Sequence, residues 1–344
     1  MKNKYIINTI KFKGKDVPVI SWQLNFSDIF GAVKVRLGIK RDHYRINPGL
    51  YALGTPDKAS HVFVSANYKL SFDSLRSKLK GINAWILVLD TKGVNVWCAA
   101  GKGTFGTDEL NLRIKESDLA GLVAHRRLIV PQLGATGVAG HLVKKHSGFS
   151  VTFGPVRSSD IPDFLKNGLK ATPIMRRVQF PLQDRVVLVP MELVTGFKYL
   201  LLIIIFFFML GGLSSTGYSF TTAIQRGILS SILLLSAYFS GAVLGPILLP
   251  WLPGRSFSIK GLFAGFIVVP VLFLGFLRSF SLLEIISWSL IIPLLSSFLT
   301  MNFTGASTYT SLSGVKKEMC LYVPIQIIGV IGGFVLWMID RFIR

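Results

Sequence analysis

One cysteine stands where its neighbours could let it do chemistry. Residues 93–107 read GVNVWCAAGKGTFGT, and Cys98 is one of only two cysteines in 344 residues. Asn95 is a natural N-cap for a short helix over 95–102, and Gly101 or Gly103 can end it. Cys98 then falls in the first helical turn, near the positive end, which favours the thiolate, the form that ligates metals. Ala99, Ala100 and Gly101 present almost no side chain, so a large flat ligand has room against that face. The same residues also suit a small buried cysteine in a packed turn, and the local pattern leaves both readings open.

Nucleotide-binding readings of the same stretch fail. A phosphate-binding G-x-x-x-x-G-K-[ST] loop would need glycine where Val96 stands and a hydroxyl where Gly103 follows Lys102. Gly101, Gly103 and Gly106 do spell G-x-G-x-x-G. That fingerprint belongs directly between a strand and a helix, with an acid about 20 residues on. Here about ten residues separate it from the preceding apolar run, and DELNLR follows.

The elements that must position Cys98 show in the hydrophobic pattern. HVFVSANY (61–68) predicts a strand, and LSFDSLRSKLKG (70–81) predicts a helix ending at Gly81. NAWILVLD (83–90) is nearly continuous in apolar residues, as in a strand buried on both faces. ESDLAGLVAHRR (116–127) predicts a helix capped by Ser117. LIVPQLGATGVAGHLVKKHSG predicts strand, glycine-rich turn, helix and glycine stop, and FSVTFGPVR (149–157) a further strand. Residues 1–50 suggest short strands and turns. Alternation of this kind predicts a parallel Rossmann-like α/β sheet, whose ligands bind at the carboxyl ends of its strands. The cysteine motif follows such an end.

Charge separates this part from the rest. The chain is 51% hydrophobic yet carries a formal charge of +21. Residues 1–196 hold 29 of the 38 basic and 14 of the 17 acidic residues, a net +15. Five apolar stretches follow, at 197–213, 226–250, 260–278, 281–301 and 322–342. Each is about the 20 residues that span a bilayer as a helix. The third and fourth are divided only by Arg278-Ser279-Phe280 and could instead form a re-entrant hairpin. The expected division is a soluble domain over 1–195 and an all-α transmembrane domain of about five helices over 196–344. Residues 1–20 are lysine-rich without an apolar core, so no secretory signal is expected. The chain is therefore expected in the cell (inner) membrane as a multi-pass protein with its basic domain in the cytoplasm, which the lysines and arginines of loops 251–260 and 302–320 support. G-x-x-x-G at Gly241/Gly245, Gly261/Gly265 and Gly329/Gly333 suggests close helix packing. Glu284 and Arg278 are expected near an interface, snorkelling or paired.

NVWCAAGKGTFGT resembles the cap-helix signature of corrinoid-binding proteins related to the large subunit of the corrinoid iron–sulfur protein. Joined to a membrane domain, it resembles more narrowly the corrinoid proteins of microbial mercury methylation. SANYKLSFD (65–73), WILVLDTKG (85–93), HRRLIVPQLGATGVAGHLVKKHSGF (125–149), GPVRSSDIPDFL (154–165) and KATPIMRRVQFPLQDRVVLVPMEL (170–193) carry the likeness further. It covers most of 40–195 closely and the remainder by architecture. The resemblance implies a Rossmann-like corrinoid-binding domain with cobalamin as cofactor and Cys98 as the lower axial ligand of its cobalt. It also implies that Asn95, Val96, Trp97, Ala99, Ala100, Gly101 and Lys102 line the lower face of the corrin. Asn67, Thr91 and Lys92 would touch its edge. Gln132, Leu133, Gly134, Ala135 and Gly137 would meet a corrin amide or the nucleotide tail. No D-x-H-x-x-G surrounds His43, His61, His125, His141 or His146, which disfavours a histidine ligand.

A thiolate is a softer, stronger donor than imidazole. The implied activity is a corrinoid-dependent methyltransferase that passes methyl, as a carbanion equivalent, to Hg(II) and gives methylmercury. A methyl-transfer protein with another acceptor, or a membrane-anchored cobalamin carrier, remains as an alternative. With only Cys98 and Cys320 and no C-x-x-C, the chain is expected to hold no iron–sulfur cluster. Electrons to return cobalt to its methyl-accepting state would come from a ferredoxin-like [4Fe–4S] partner, and the methyl group from a separate methyltransferase. The +15 of the soluble domain suits an acidic protein or anionic membrane lipid. No nucleic-acid motif is visible, and no nucleic acid is expected as a partner.

Overall fold

The computed structural model describes residues 5–276, 280–306 and 312–343. It divides into two compact units, Met1–Gln179 and Phe180–Arg344.

The first unit is a mixed α/β domain built on a seven-stranded sheet. Its strands are β1 (Ile6–Phe12), β2 (Lys15–Ile20), β3 (Gly49–Leu53), β4 (His61–Ala66), β5 (Ala84–Leu89), β6 (Arg127–Val130) and β7 (Ser150–Phe153). They lie in the order β1-β2-β3-β5-β4-β6-β7. Every residue of β5 is buried, as its unbroken apolar run requires. Alternate residues serve opposite faces. Val62, Val64, Leu87, Leu89 and Val130 join one core, and Phe63, Ile86, Val88 and Ile129 the other.

Helix α1 (Phe26–Arg36) lies among the N-terminal strands, and α2 (Lys69–Lys78) follows β4. After β5 come α3 (Val96–Gly101), α4 (Thr107–Glu116) and α5 (Leu119–Leu122). Helix α6 (Gly140–Ser147) joins β6 to β7, and α7 (Ile161–Lys166) closes the domain. Leu110 and Ile114 of α4 and Val143 of α6 cover the first face; Phe72 and Leu75 of α2 and Phe164 of α7 cover the second.

The parallel expectation holds for β5-β4-β6-β7, where all three pairings are parallel. It fails at the N-terminal side. β1 pairs with β2 antiparallel, and so does β3 with β5. The cause of the first is local: Lys13 and Gly14 both have positive φ, 47° and 79°, the two-residue turn that a twisted hairpin demands.

Three helical expectations also change. Residues 26–36 form a helix, not strands, started by a capping box in which Asn25 and Asp28 satisfy each other's amides. The helix expected over 116–127 shrinks to α5, Leu119–Leu122, because α4 (Thr107–Glu116) ends where it was to begin. Asp118 between them has φ 47°, and Ser117 Oγ donates back to the Arg113 carbonyl instead of capping forward. Helix α2 stops at Lys78, before Gly81.

The Asp28 carboxylate is buried and takes Arg76 Nη2 and Lys69 Nζ, each at 2.6 Å. Asp73 holds the other sides of the same two cations. Burial pushes the Asp28 carboxyl up, but the hydrogen bonds from Lys69 and the Asn25 amide and the charges of Lys69 and Arg76 outweigh it and hold it low. Removing one partner of such a buried set costs about 3–5 kcal/mol.

The second unit is helical, with one two-residue hairpin, Leu213–Ser214 with Gly217–Tyr218, as a small departure from all-α. Among the described residues, five helical stretches are long and apolar enough to cross a membrane: Leu182–Leu210, Phe220–Leu248, Phe257–Gly275, Leu282–Asn302 and Gly314–Ile343. The first comprises α8 (Leu182–Val186) and α9 (Val189–Leu210). The second runs through α10 (Phe220–Phe239), a π turn and α11 (Gly245–Leu248). Then follow α12 (Phe257–Phe276), α13 (Leu282–Asn302) and α14 (Leu312–Ile343). At 20 and 21 residues, α12 and α13 each reach about 30 Å, so the third and fourth segments are full helices and not a re-entrant pair.

All three G-x-x-x-G pairs pack on α13, as small residues in membrane helices do. A Cβ at Gly241 or Gly261 would stand 2.7 Å from the Ser296 carbonyl, and one at Gly265 would meet Pro293. Gly329 and Gly333 face Leu294 and Ile291. The close approach lets hydroxyls of α13 donate to glycine carbonyls: Ser296 to Gly261, Thr300 to Gly241 and Ser287 to Gly333. Glu284 is indeed paired, with Arg226 at 2.9 Å and with Arg341. Arg278 lies outside the described residues.

Candidate functional site

The chain leaves β4 for β5 on one side and later returns to β6 on the other, so the strand order reverses between β4 and β6. Ligands of such sheets bind in the crevice beyond the carboxyl ends at that reversal. A cavity of about 380 Å³ lies there. Phe63 and Ser65 of β4, Leu70 and Ser74 of α2 and Ile129 of β6 line it, with Trp97 from α3. Hydrophobic periodicity does not fix strand order, so no local pattern foretells this cavity.

The turn after β5 hangs on one buried side chain. Asn67, at the end of β4, accepts at Oδ1 from the amides of Thr91 and Gly93 at 3.1 and 2.9 Å. Its Nδ2 donates to Asp90 at 2.9 Å. The Thr91 hydroxyl sits 2.8 Å from Asn67 Oδ1 and 2.6 Å from the Val94 carbonyl. Asn67 is 2% exposed and Thr91 fully buried. Both, expected at a ligand's edge, hold the loop that presents α3. Lys92, with φ 56°, is exposed.

Helix α3 forms as expected. The Asn95 side chain accepts from the Cys98 amide at 2.9 Å, which caps the turn. The face it presents differs from the expected one. Ala99 and Ala100 are buried and pack into the first core beside Val96 and Phe105. Trp97, Cys98, Gly101 and Lys102 are exposed. The alanines are small because the helix lies close on the turn behind it, not to clear its front. A Cβ at Gly101 would meet no atom within 4 Å, so that side of α3 is open.

The turn after β6 supplies the backing. Residues 132–134 make one 3₁₀ turn. A Cβ at Gly134 would come 2.5 Å from the Phe105 ring. One at Gly137 would come 2.1 Å from the Phe105 carbonyl and 3.1 Å from Ala100 Cα. These two glycines therefore face the first turn. Ala135 is half-buried, Leu133 lines the cavity, and Gln132 Oε1 is buried without a hydrogen-bond partner. Of G-x-G-x-x-G only Gly106 joins this packing, with a Cβ there 3.6 Å from the Gly137 carbonyl; Gly103 turns the chain with φ 80°.

Among the described residues, no three His, Cys, Asp or Glu side chains gather as a metal cage. A lone exposed thiol suits a metal that arrives with its other ligands already in place. The open side of α3 at Gly101, the apolar cavity beside Asn95, Val96 and Trp97, and the orphan Gln132 oxygen fit a flat cofactor with amide N–H groups. Corrinoids are of that kind. Cys98 is not among the cavity's lining residues, but its helix neighbours Val96 and Trp97 are.

Residues 26–165 match the family of the CO dehydrogenase/acetyl-CoA synthase delta subunit. The acetyl-CoA decarbonylase/synthase complex subunit gamma of Methanopyrus kandleri is 36% identical over 132 residues, 38% of this chain and 28% of the relative. The same subunit of Methanocaldococcus jannaschii is 32% identical over 124 residues, 36% of this chain and 25% of the relative. The corrinoid/iron-sulfur protein large subunit of Moorella thermoacetica is 26% identical over 155 residues, 44% of this chain and 32% of the relative. The chain thus spans roughly a quarter to a third of the length of these relatives. The matched residues include both glycine-rich turns, and the likeness supports a relation to corrinoid/iron-sulfur protein subunits.

Proposed function

We propose that this chain is a membrane-anchored corrinoid methyl-transfer protein in which Cys98 is the lower axial ligand of cobalt and Hg(II) is the methyl acceptor. The observation that carries the reading is the exposed Cys98 on a capped helix, open in front at Gly101 and adjoining the cavity at the strand reversal. A bound corrinoid would supply the methyl group, and the Cys98 thiolate would be the residue that holds its metal. The protein's own part is to hold the thiol. Asn95 fixes the helical turn that carries Cys98, and Asn67 fixes the loop before it. Trp97, Lys92 and Lys102 border the exposed face. Gln132 Oε1 would accept from a ligand N–H.

With two cysteines in the chain, reducing electrons come from a partner, which we take to be a ferredoxin-like [4Fe–4S] protein. A methyl-donor methyltransferase completes the cycle. We take the α/β unit to lie on the cytoplasmic side of the membrane. Hg(II) as acceptor rests on the resemblance of the cysteine motif joined to five apolar helices. The matched relatives' names speak of acetyl-CoA and carry a second reading, methyl transfer to another acceptor within a protein complex.

A single-turnover assay tests both. The purified chain is loaded with isotopically labelled methylcobalamin, given thiol-complexed Hg(II), and labelled methylmercury is quantified. Free methylcobalamin and Cys98→Ala run beside it. Product well above both controls is expected. Cobalamin bound without excess product would remove mercury and leave the second reading. No cobalamin bound at all would remove both.

A further inference from the structure

Helix α1 is amphipathic, yet it is turned inside out. Phe26, Ile29, Phe30 and Val33 fall at i, i+3, i+4 and i+7, one face of a helix. That face points away from the protein: Phe26 is 80% exposed, Ile29 54%, Phe30 49% and Val33 46%. Leu24 and Ile39, just before and after the helix, are exposed as well. Phe26 and Phe30 stack at 6.0 Å between centroids and so present one continuous aromatic surface.

The inward face explains why the helix cannot roll over to bury this stripe. It carries Asp28, whose carboxylate is locked by Arg76 and Lys69. Gly31 lies where a Cβ would strike the Tyr44 ring and hydroxyl, and Val35 is 3% exposed. Half a turn of rotation would strand the buried Asp28 carboxylate and take one of two carboxylates from the buried Arg76 and from Lys69. The ionic network thus fixes the apolar stripe outward.

The stripe has a basic border. Lys34 Nζ lies 4.4 Å from the Phe30 ring centre, and Arg36 continues the face seven residues after Ile29. Lys40, Arg41 and Arg45 follow. Across 24–45 the acids are Asp42 and the buried, paired Asp28. Apolar residues bordered by lysine and arginine are the composition of helices that lie in the headgroup layer of anionic bilayers. The same chain continues into five apolar helices, so any bilayer they occupy is held at high effective concentration near α1.

We propose that α1 is a membrane-seating helix, its Phe26–Val33 stripe immersed in the interface of an anionic lipid surface and its basic residues on the headgroups. This stands apart from the corrinoid reading and would hold for any cofactor or acceptor.

The test places the photo-crosslinker p-benzoylphenylalanine at Phe26, Phe30 or Val33 of the full chain, with Lys58 as an exposed control position. The chain is reconstituted in nanodiscs of phosphatidylglycerol with phosphatidylcholine and, separately, of phosphatidylcholine alone. Lipid adducts at 26, 30 and 33, well above position 58 and stronger with the anionic lipid, are expected. Lys34→Glu with Arg36→Glu should lower them at least about fivefold, since each basic residue near the surface is worth about 1 kcal/mol. Adducts to another segment of this chain, to a second copy or to a co-purified protein at these positions would overturn the proposal. So would lipid adducts no greater than at Lys58. Hydrogen exchange on the unmodified chain needs no substitution: amides 26–36 should exchange more slowly with anionic than with neutral nanodiscs, and equal rates would also overturn it.

Discussion

The turn after β5 and the turn after β6 leave the same edge of the sheet, and both are rich in glycine, but they resolve their polar atoms in opposite ways. In the first, Asn67 satisfies the Thr91 and Gly93 amides, and Asn95 satisfies that of Cys98. Its polar groups are spent on its own shape, and what it offers outward is a thiol, an indole and a bare glycine. In the second, Gly134 and Gly137 are spent on close approach to Phe105 and Ala100, and Gln132 keeps a buried oxygen with no partner. Buried acceptors left open are uncommon because they cost free energy. The first turn is therefore a finished mount for one reactive atom, and the second a backing wall with one unfilled hydrogen bond.

The largest expected effect strikes the mount's single reactive atom. Cys98→Ala should reduce methyl transfer more than about 100-fold, beyond the usual loss from an outer-shell partner of a metal. Its stability should stay within about 0.5 kcal/mol, because the side chain is exposed. Equal loss of activity and of melting temperature would mean that Cys98 is a packing residue and would break the comparison. Gly137→Ala comes next, since its Cβ would lie 2.1 Å from the Phe105 carbonyl. The expected cost is about 3 kcal/mol, measured as a denaturant midpoint. No cost would mean that the two turns do not touch. Asn67→Ala should cost about 2 kcal/mol by leaving buried donors unmet. Asn67→Asp keeps the acceptor but sets a carboxylate against Asp90, so it should recover little. Full recovery would assign the hub to its Oδ1 alone.

Much of the mount was legible because its signals are local. Asn95 three residues before Cys98 caps its turn, and the unbroken 84–89 run is a buried strand. The five apolar stretches were legible from length alone. The open face of α3 was not. Alanine reads equally as clearance for a ligand and as clearance for the chain behind it, and only the approach of Gly137 to Ala100 decides. The part Asn67 plays in holding the loop was not legible, because its bonds reach 24 and 26 residues ahead. Helix α1 had a local signal, Asn25 with Asp28 and the 26-29-30-33 spacing. Its stripe faces outward, however, so the spacing reports a helix and misreports which side is core.

Gln132→Met is the smallest change and separates the two turns most cleanly. The side chains have similar volume, and Oε1 gives up no bond when it is removed. Stability without cofactor should therefore shift by less than about 0.5 kcal/mol, or rise slightly as an unmet buried oxygen disappears. If that oxygen awaits a ligand N–H, cobalamin affinity should fall about fivefold, the worth of one ordinary hydrogen bond. Titration of the full chain followed by the visible absorption of bound cobalamin measures this against Cys98→Ala. A Gln132→Met chain that binds as tightly as the parent would make the orphan oxygen a feature of packing. The first turn would then carry the whole polar recognition of the cofactor, with the second reduced to a wall.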